Sequence, residues 1–160
     1  MAEAAAPKRM LDSLDSLKDL VGQEVAVTDW FTMTQERVQQ FADATLDHQW
    51  IHVDVERAKR ESPFKGPIAH GFLTLSLLAH FMQSAVGIRH GVRMGVNYGM
   101  NKIRFVSPVR VDSRIRARFV LQTLKDVEPN GVEAQYNATV EAEGSEKPAC
   151  IAEWLVRYYR

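Results

Sequence analysis

The segment Asp47-His48-Gln49-Trp50-Ile51-His52 sets a carboxylate and an imidazole five positions apart. Pro67-Ile68-Ala69-His70-Gly71-Phe72 follows and leads, through a proline and then a glycine, into a long apolar run. A carboxylate beside an imidazole is a pairing suited to general acid–base chemistry, because one group can take a proton while the other supplies one. A glycine in the first turn of a helix leaves backbone N–H groups free at the positive end of the helix dipole, where an anion can be held. Together the two segments suit proton transfer next to a carbonyl whose oxygen gathers negative charge. Taken singly, Asp47 also reads as a turn residue bonded to nearby backbone, and His52 as a satisfied, half-buried ring.

Other chemistries have less support. His48 and His52 have the His-x3-His spacing of zinc helices, but Gln49 stands where a glutamate base would be needed, so no metal is expected. Neither a G-x-S-x-G turn nor a phosphate-binding glycine loop is present, which removes support for serine-hydrolase and nucleotide-triphosphate readings. Arg110, Arg114, Arg116 and Arg118 form a basic comb. Pairing with the acidic residues of a neighbouring strand, such as Arg114 with Glu141, explains most of it better than an anion cradle does.

These residues need a scaffold. Met10, Leu11, Leu14, Leu17, Leu20 and Val21 recur at helical spacing and predict a short amphipathic helix ending near Gly22. Glu24 to Phe31 predicts a strand. Thr34 caps a helix with Val38, Phe41 and Ala42 on one face, and Asp54 caps a shorter one through Lys59. Between them, Asp47 to His52 reads as irregular turn. Ile68 to Val86, after the Gly66-Pro67 break, is apolar in nearly every direction and predicts one long helix buried on most sides. Strands follow: Val92 to Met100 alternates, and Ile103 and Phe105 continue with opposite parity, which predicts a bulge near Asn101-Lys102. Ile115 to Leu121, Val132 to Ala142 and Cys150 to Tyr159 complete an antiparallel run. Segregated helix and strands indicate α+β, with a curved antiparallel sheet wrapped around the long helix.

Phe41-Ala-Asp-Ala-Thr45, Asp47 to Asp54, Gly66-Pro-Ile-Ala-His70-Gly71-Phe-Leu, and Asn97-Tyr98 with Arg104-Phe105-x-x-Pro108-Val109 resemble the MaoC-like, (R)-specific enoyl-CoA hydratases from about Gly22 to Arg160. The resemblance implies a single hot-dog domain over 10–160, a homodimer, acyl-CoA as substrate, and no metal or organic cofactor. It also implies Asp47 and His52 as the acid–base pair and Gly71 as the oxyanion donor. Gln49 would take the place of a common asparagine, and Ser76 that of a serine beside the pair. Ile68, Ala69, His70, Gly95, Val96, Asn97, Tyr98, Val106, Ser107 and Pro108 would line the substrate groove, with Lys102 and Arg104 toward the CoA phosphates. Leu46 departs from a common glycine, and a positive φ there would strain a leucine. Two other functions fit the same scaffold: a thioesterase, and a non-catalytic subunit that binds an acyl-CoA or acyl-carrier.

The bulk properties agree with a protein of this kind. A length of 160 residues suits one domain with a real core. Twenty basic residues balance twenty acidic ones, so net charge gives no reason to expect nucleic acid or an anionic membrane. Residues 1–9 read as a disordered leader. His70, His80 and Gln83 interrupt the longest apolar run and argue against a membrane span. The single cysteine, Cys150, precludes an internal disulfide and fits a reducing, cytoplasmic setting.

Overall fold

The computed structural model describes residues 8–160. Strand β1 (Arg9–Ser13) runs into a short 3-10 helix (Leu14–Leu20), followed by β2 (Glu24–Val27) and β3 (Phe31–Thr32). Three helices come next, α1 (Gln35–Thr45), α2 (Trp50–Val53) and α3 (Val55–Glu61). The central pair is α4 (Gly71–Ser76) and α5 (Leu78–Ala85). Then come β4 (Val86–His90), β5 (Met94–Phe105), β6 (Arg114–Val127), β7 (Gly131–Ala142) and β8 (Cys150–Tyr159). The main sheet is antiparallel in the order β2-β6-β7-β8-β5, with β3 also on β6, and a second, two-stranded sheet pairs β1 with β4 in parallel.

Period-two alternation builds this sheet. Ile115, Ala117, Phe119 and Leu121 of β6, and Val132, Ala134, Tyr136, Ala138 and Val140 of β7, all point into the core. Leu73, Leu77, Leu78, Phe81 and Met82 of α4 and α5 lie against them. Burying each such leucine or phenylalanine contributes roughly 1.5–3 kcal/mol. Register shifts in β5 fall between Asn97 and Gly99 and between Met100 and Lys102, so the expected bulge is present and a second precedes it. Such bulges bend a strand and strengthen its twist. The result is the α+β, single-domain hot-dog architecture.

Four local expectations change. The expected helix over Met10–Val21 is a strand followed by a 3-10 helix. Leu14, Leu17 and Leu20 are spaced by three, the period of a 3-10 helix, and all are buried. Arg9–Ser13 is extended because β4 offers it a parallel partner, a strand where the apolar run predicts only the end of a helix and a loop. The expected leader lies outside the described residues except for Lys8 and Arg9; Lys8 pairs with Asp29 at 2.5 Å, and Arg9 opens β1. The long helix is two, with a turn at Leu77, and its outer face carries exposed Phe72, Ser76 and His80, so one stripe is buried and not the whole circumference.

The basic comb is paired with acids from Arg114 onward, displaced by two residues from the partner expected for Arg114, while Arg110 instead donates to the Lys65 carbonyl at 3.2 Å. Arg114 bonds Glu143 and not Glu141, while Arg116 and Arg118 share Glu141 at 2.6 and 2.5 Å. Among the described residues, no helix is long and apolar enough to cross a membrane.

Candidate active site

Helix α1 begins at Thr34, whose hydroxyl accepts the Arg37 N–H at 3.2 Å. It ends at Leu46, in the left-handed region with φ of 62°. The strain expected of a leucine there is therefore real, on the order of 1–2 kcal/mol. Leu46 turns the chain so that Asp47 follows directly, and the Asp47 carboxylate accepts the Gln49 N–H at 3.4 Å in a local turn. Gln49 then leads into α2, a single helical turn in place of the expected irregular turn.

Helix α2 drives His52 inward to 7% exposure. Its Nδ1 lies 2.7 Å from the Ile68 carbonyl. A carbonyl can only accept, so Nδ1 carries the proton and Nε2 keeps a free lone pair. Burial pushes the His52 pKa below the ordinary histidine range, partly offset by the Ile68 carbonyl. The two motif segments are sewn together twice, since the Ile68 N–H also donates to the Ile51 carbonyl at 3.1 Å. Beyond Ile68, the Ala69 N–H donates to Val109 at 2.8 Å, and the Val111 N–H to Pro67 at 3.1 Å. The Pro67–Ala69 segment is thus held on both sides before α4 begins.

His70 precedes α4 and is 2% exposed. Its Nε2–H donates to the Asp47 main-chain carbonyl at 2.9 Å, and the Asp47 carboxylate lies 4.0 Å from the same nitrogen. The rings of His52 and His70 stack with centroids 3.8 Å apart and an angle of 26°. Gly71 opens α4, so its N–H has no acceptor within the helix. Glycine is needed here for space: a Cβ would sit 2.9 Å from the Phe105 ring.

A cleft of about 290 Å³ opens at this point. His52, Ile68, Ala69, Gly71, Val106, Ser107 and Pro108, all expected at the site, line it. So do Phe64, Thr74, Phe105, Val109 and Ala149. Thr74 was missed although it is buried one helical turn after Gly71, a spacing that could have found it. Ala149 carries no such signal. One nitrogen or oxygen each of Asp47, His52 and His70 lies within 4.8 Å of the others. Two ring nitrogens are committed as donors to carbonyls, and stacked rings do not converge on a point as ligands of a tetrahedral ion do. His48 is not part of the group, since its ring bonds Asp43 at 2.8 Å. What remains is an exposed Asp47 carboxylate, outside the cleft lining but within 4.8 Å of a ring nitrogen of His52, which does line it; such a pair can hold a water and move its protons.

Several expected residues stand apart from the cleft, Asp47 and His70 among them, since neither is in its lining. Ser76 is exposed on the outer face of α4, with its hydroxyl donated to the Phe72 carbonyl at 2.7 Å, a bond back within its own helix. The Gln49 side chain is exposed and contributes only through its main chain. Gly95, Val96, Asn97 and Tyr98 lie on the first half of β5, all exposed, with the Arg157 guanidinium over the Tyr98 ring. Lys102 faces a separate groove, with Asn137, Thr139, Ile151 and Glu153, on the face of the sheet away from the helices. The Arg104 guanidinium folds back on the Ile103 carbonyl at 2.7 Å. The two bulges in β5 lie between residues 95–97 and Phe105, which with Val106 does reach the cleft.

A family model described as a MaoC like domain matches residues 16–142. The chain is 49% identical over 150 residues to 3-hydroxyacyl-thioester dehydratase Z of Mycobacterium tuberculosis, covering 94% of this chain and 98% of the relative. It is 48% identical over 143 residues to nodulation protein N of Rhizobium meliloti, covering 89% of each. Among solved structures, an (R)-hydratase from A. caviae involved in PHA biosynthesis superposes with a TM-score of 0.68 at 22% identity, over 85% of this chain and 94% of that one. A monoamine oxidase regulatory protein from Archaeoglobus fulgius gives a TM-score of 0.75 at 23% identity, over 96% and 98%.

Proposed function

The chain belongs to the MaoC-like dehydratase family, and from that premise we propose that it catalyses the reversible hydration of trans-2-enoyl-CoA to (R)-3-hydroxyacyl-CoA. The observation that carries this reading is the shared location of the parts. His52, buried with one ring nitrogen uncommitted, and Gly71 at the start of α4 line one cleft, and a carboxylate oxygen of Asp47 lies within 4.8 Å of a His52 ring nitrogen. The M. tuberculosis relative, named as a hydroxyacyl-thioester dehydratase, supports the same reaction class.

In the hydration direction, Asp47 and His52 hold one water above C3 of the enoyl thioester. His52 starts neutral, favoured by its burial. Its Nε2 takes a proton as the water oxygen bonds to C3, and the π electrons of the double bond move toward the thioester oxygen. The Gly71 N–H stabilises that enolate oxygen, a contribution of roughly 3–4 kcal/mol for donors of this kind. The imidazolium then returns its proton to C2. The balance is one water added, with no redox change and no need for metal or organic cofactor. The reverse sequence is dehydration.

The molecule works as a homodimer. Strand β5 bonds only β8 among the described residues and leaves its other edge open. Met94, Val96 and Tyr98 are exposed along it. Such an edge is normally covered or paired.

Turnover of crotonyl-CoA, followed by loss of its conjugated absorbance with chiral analysis of the product, tests the function. Formation of (R)-3-hydroxybutyryl-CoA supports it. Release of free thiol without hydration would replace it with thioesterase activity. Tight acyl-CoA binding without turnover would replace it with a binding subunit.

A further inference from the structure

We infer that His70 is a positioning residue for the reaction proposed above: a buried clamp that sets the Asp47 turn and the His52 ring in register through one proton on its Nε2. The inference rests on that reading of the site, but its structural part can be judged without it.

Three observations converge. First, Leu46 is held in the left-handed region with its side chain exposed, immediately before Asp47. Such a conformation persists only when its surroundings over-determine it. The long-range tie found on this turn is the His70 Nε2–H to the Asp47 carbonyl, spanning 23 residues. Second, the other His70 nitrogen, Nδ1, is buried with no partner among the described residues, so a proton placed there would meet no acceptor among them. The ring is thereby fixed as the Nε2–H tautomer, the form that can donate to Asp47. Third, the same ring lies flat on His52 at 3.8 Å, with Phe41 at 5.0 Å on the His70 ring as well. His52 is fixed in its own plane by Ile68 and across that plane by His70. One side chain therefore touches the main chain of the acid and the face of the base while staying out of the cleft lining.

Two substitutions separate the clamp from simple packing. His70→Phe keeps a flat ring on His52 and loses the donor, whereas His70→Gln keeps an N–H donor near the Nε2 position. Displacing a catalytic group by about 1 Å can cost on the order of 100-fold in rate. The expected result is a kcat lowered at least tenfold in His70→Phe with KM for crotonyl-CoA changed less than threefold, and recovery to within about threefold of wild type in His70→Gln, at comparable melting temperatures. A packing role would instead make kcat follow thermal stability, whichever donor is present. Wild-type kcat in His70→Phe, or equal losses in the two variants, would overturn the inference. Nitrogen-15 NMR of the histidine rings in the wild-type protein gives a second readout independent of activity. A proton on Nε2 and a bare Nδ1 at His70 are expected, and a protonated Nδ1 would overturn it. If the wild-type protein hydrates no enoyl thioester, the functional reading fails while the tautomer still decides the clamp.

Discussion

In the proposed reaction His52 acts through one nitrogen, because the other is already committed to the Ile68 carbonyl. A base of this kind works only when uncharged. Burial lowers its pKa, so the acid limb of kcat/KM should fall at a pH below the ordinary histidine value near 6.5. Above that limb His52 is neutral and active; as pH falls through its depressed pKa, activity is lost. A pH profile with its acid limb above that value would contradict the assignment. Gly71 is constrained differently. Gly71→Ala would drive a methyl into the Phe105 ring, costing roughly 1–3 kcal/mol of stability. It would also disturb the spacing between the amide and the thioester. Crotonyl-CoA kinetics and thermal melts should both show the change, and an unaltered melting temperature would show that Phe105 yields without strain.

At the scale of elements, turns carry the precision that the sheet does not need. Leu46→Gly should relieve the left-handed residue and raise stability by about 1 kcal/mol, roughly 2–4 °C in Tm for a chain of this size. Thr34→Ala should lower stability by about 1 kcal/mol through loss of the α1 cap. Differential scanning calorimetry of both variants checks the two signs. Much of this scaffold was legible: the β7 alternation, the caps at Thr34 and Asp54, and the β5 bulge near Asn101 are local signals that tertiary contacts reinforce. Other features are not local. The β1 strand exists because β4 pairs with it, so a reading of Met10 to Val21 by itself favours a helix. Ser76 and Thr74 are both polar residues on one apolar helix, and it is the one-turn spacing of Thr74 from Gly71, together with the direction of the buried stripe, that marks Thr74 as the one facing the cleft. The His52–His70 stack joins two segments whose sequence gives no hint that their rings meet.

The whole molecule presents an asymmetry. One edge of the main sheet, β2, lies beside β1 through the Arg9 guanidinium bonded to the Val25 carbonyl at 3.1 Å, while β5 leaves twelve residues at the opposite edge. Exposed Phe72, Phe105 and Val106 extend the apolar surface from that edge to the mouth of the cleft. Pairing of two copies along β5 would cover both. Val96→Lys puts a charge near the start of this strand, a common means of blocking edge pairing. Sedimentation velocity at micromolar concentration should show a dimer for the wild-type protein and a shift toward monomer for Val96→Lys. A wild-type monomer would contradict the proposed assembly.

The central claim is that Asp47 and His52 act on one shared water. Steady-state hydration of crotonyl-CoA by Asp47→Asn, His52→Gln and the double variant tests it most directly. Each single variant should lose on the order of 10²-fold or more in kcat. The double variant should be little worse than the poorer single one, because groups that act as a unit are lost together. Near-wild-type turnover in either single variant, or a double loss equal to the product of the two, would contradict the account.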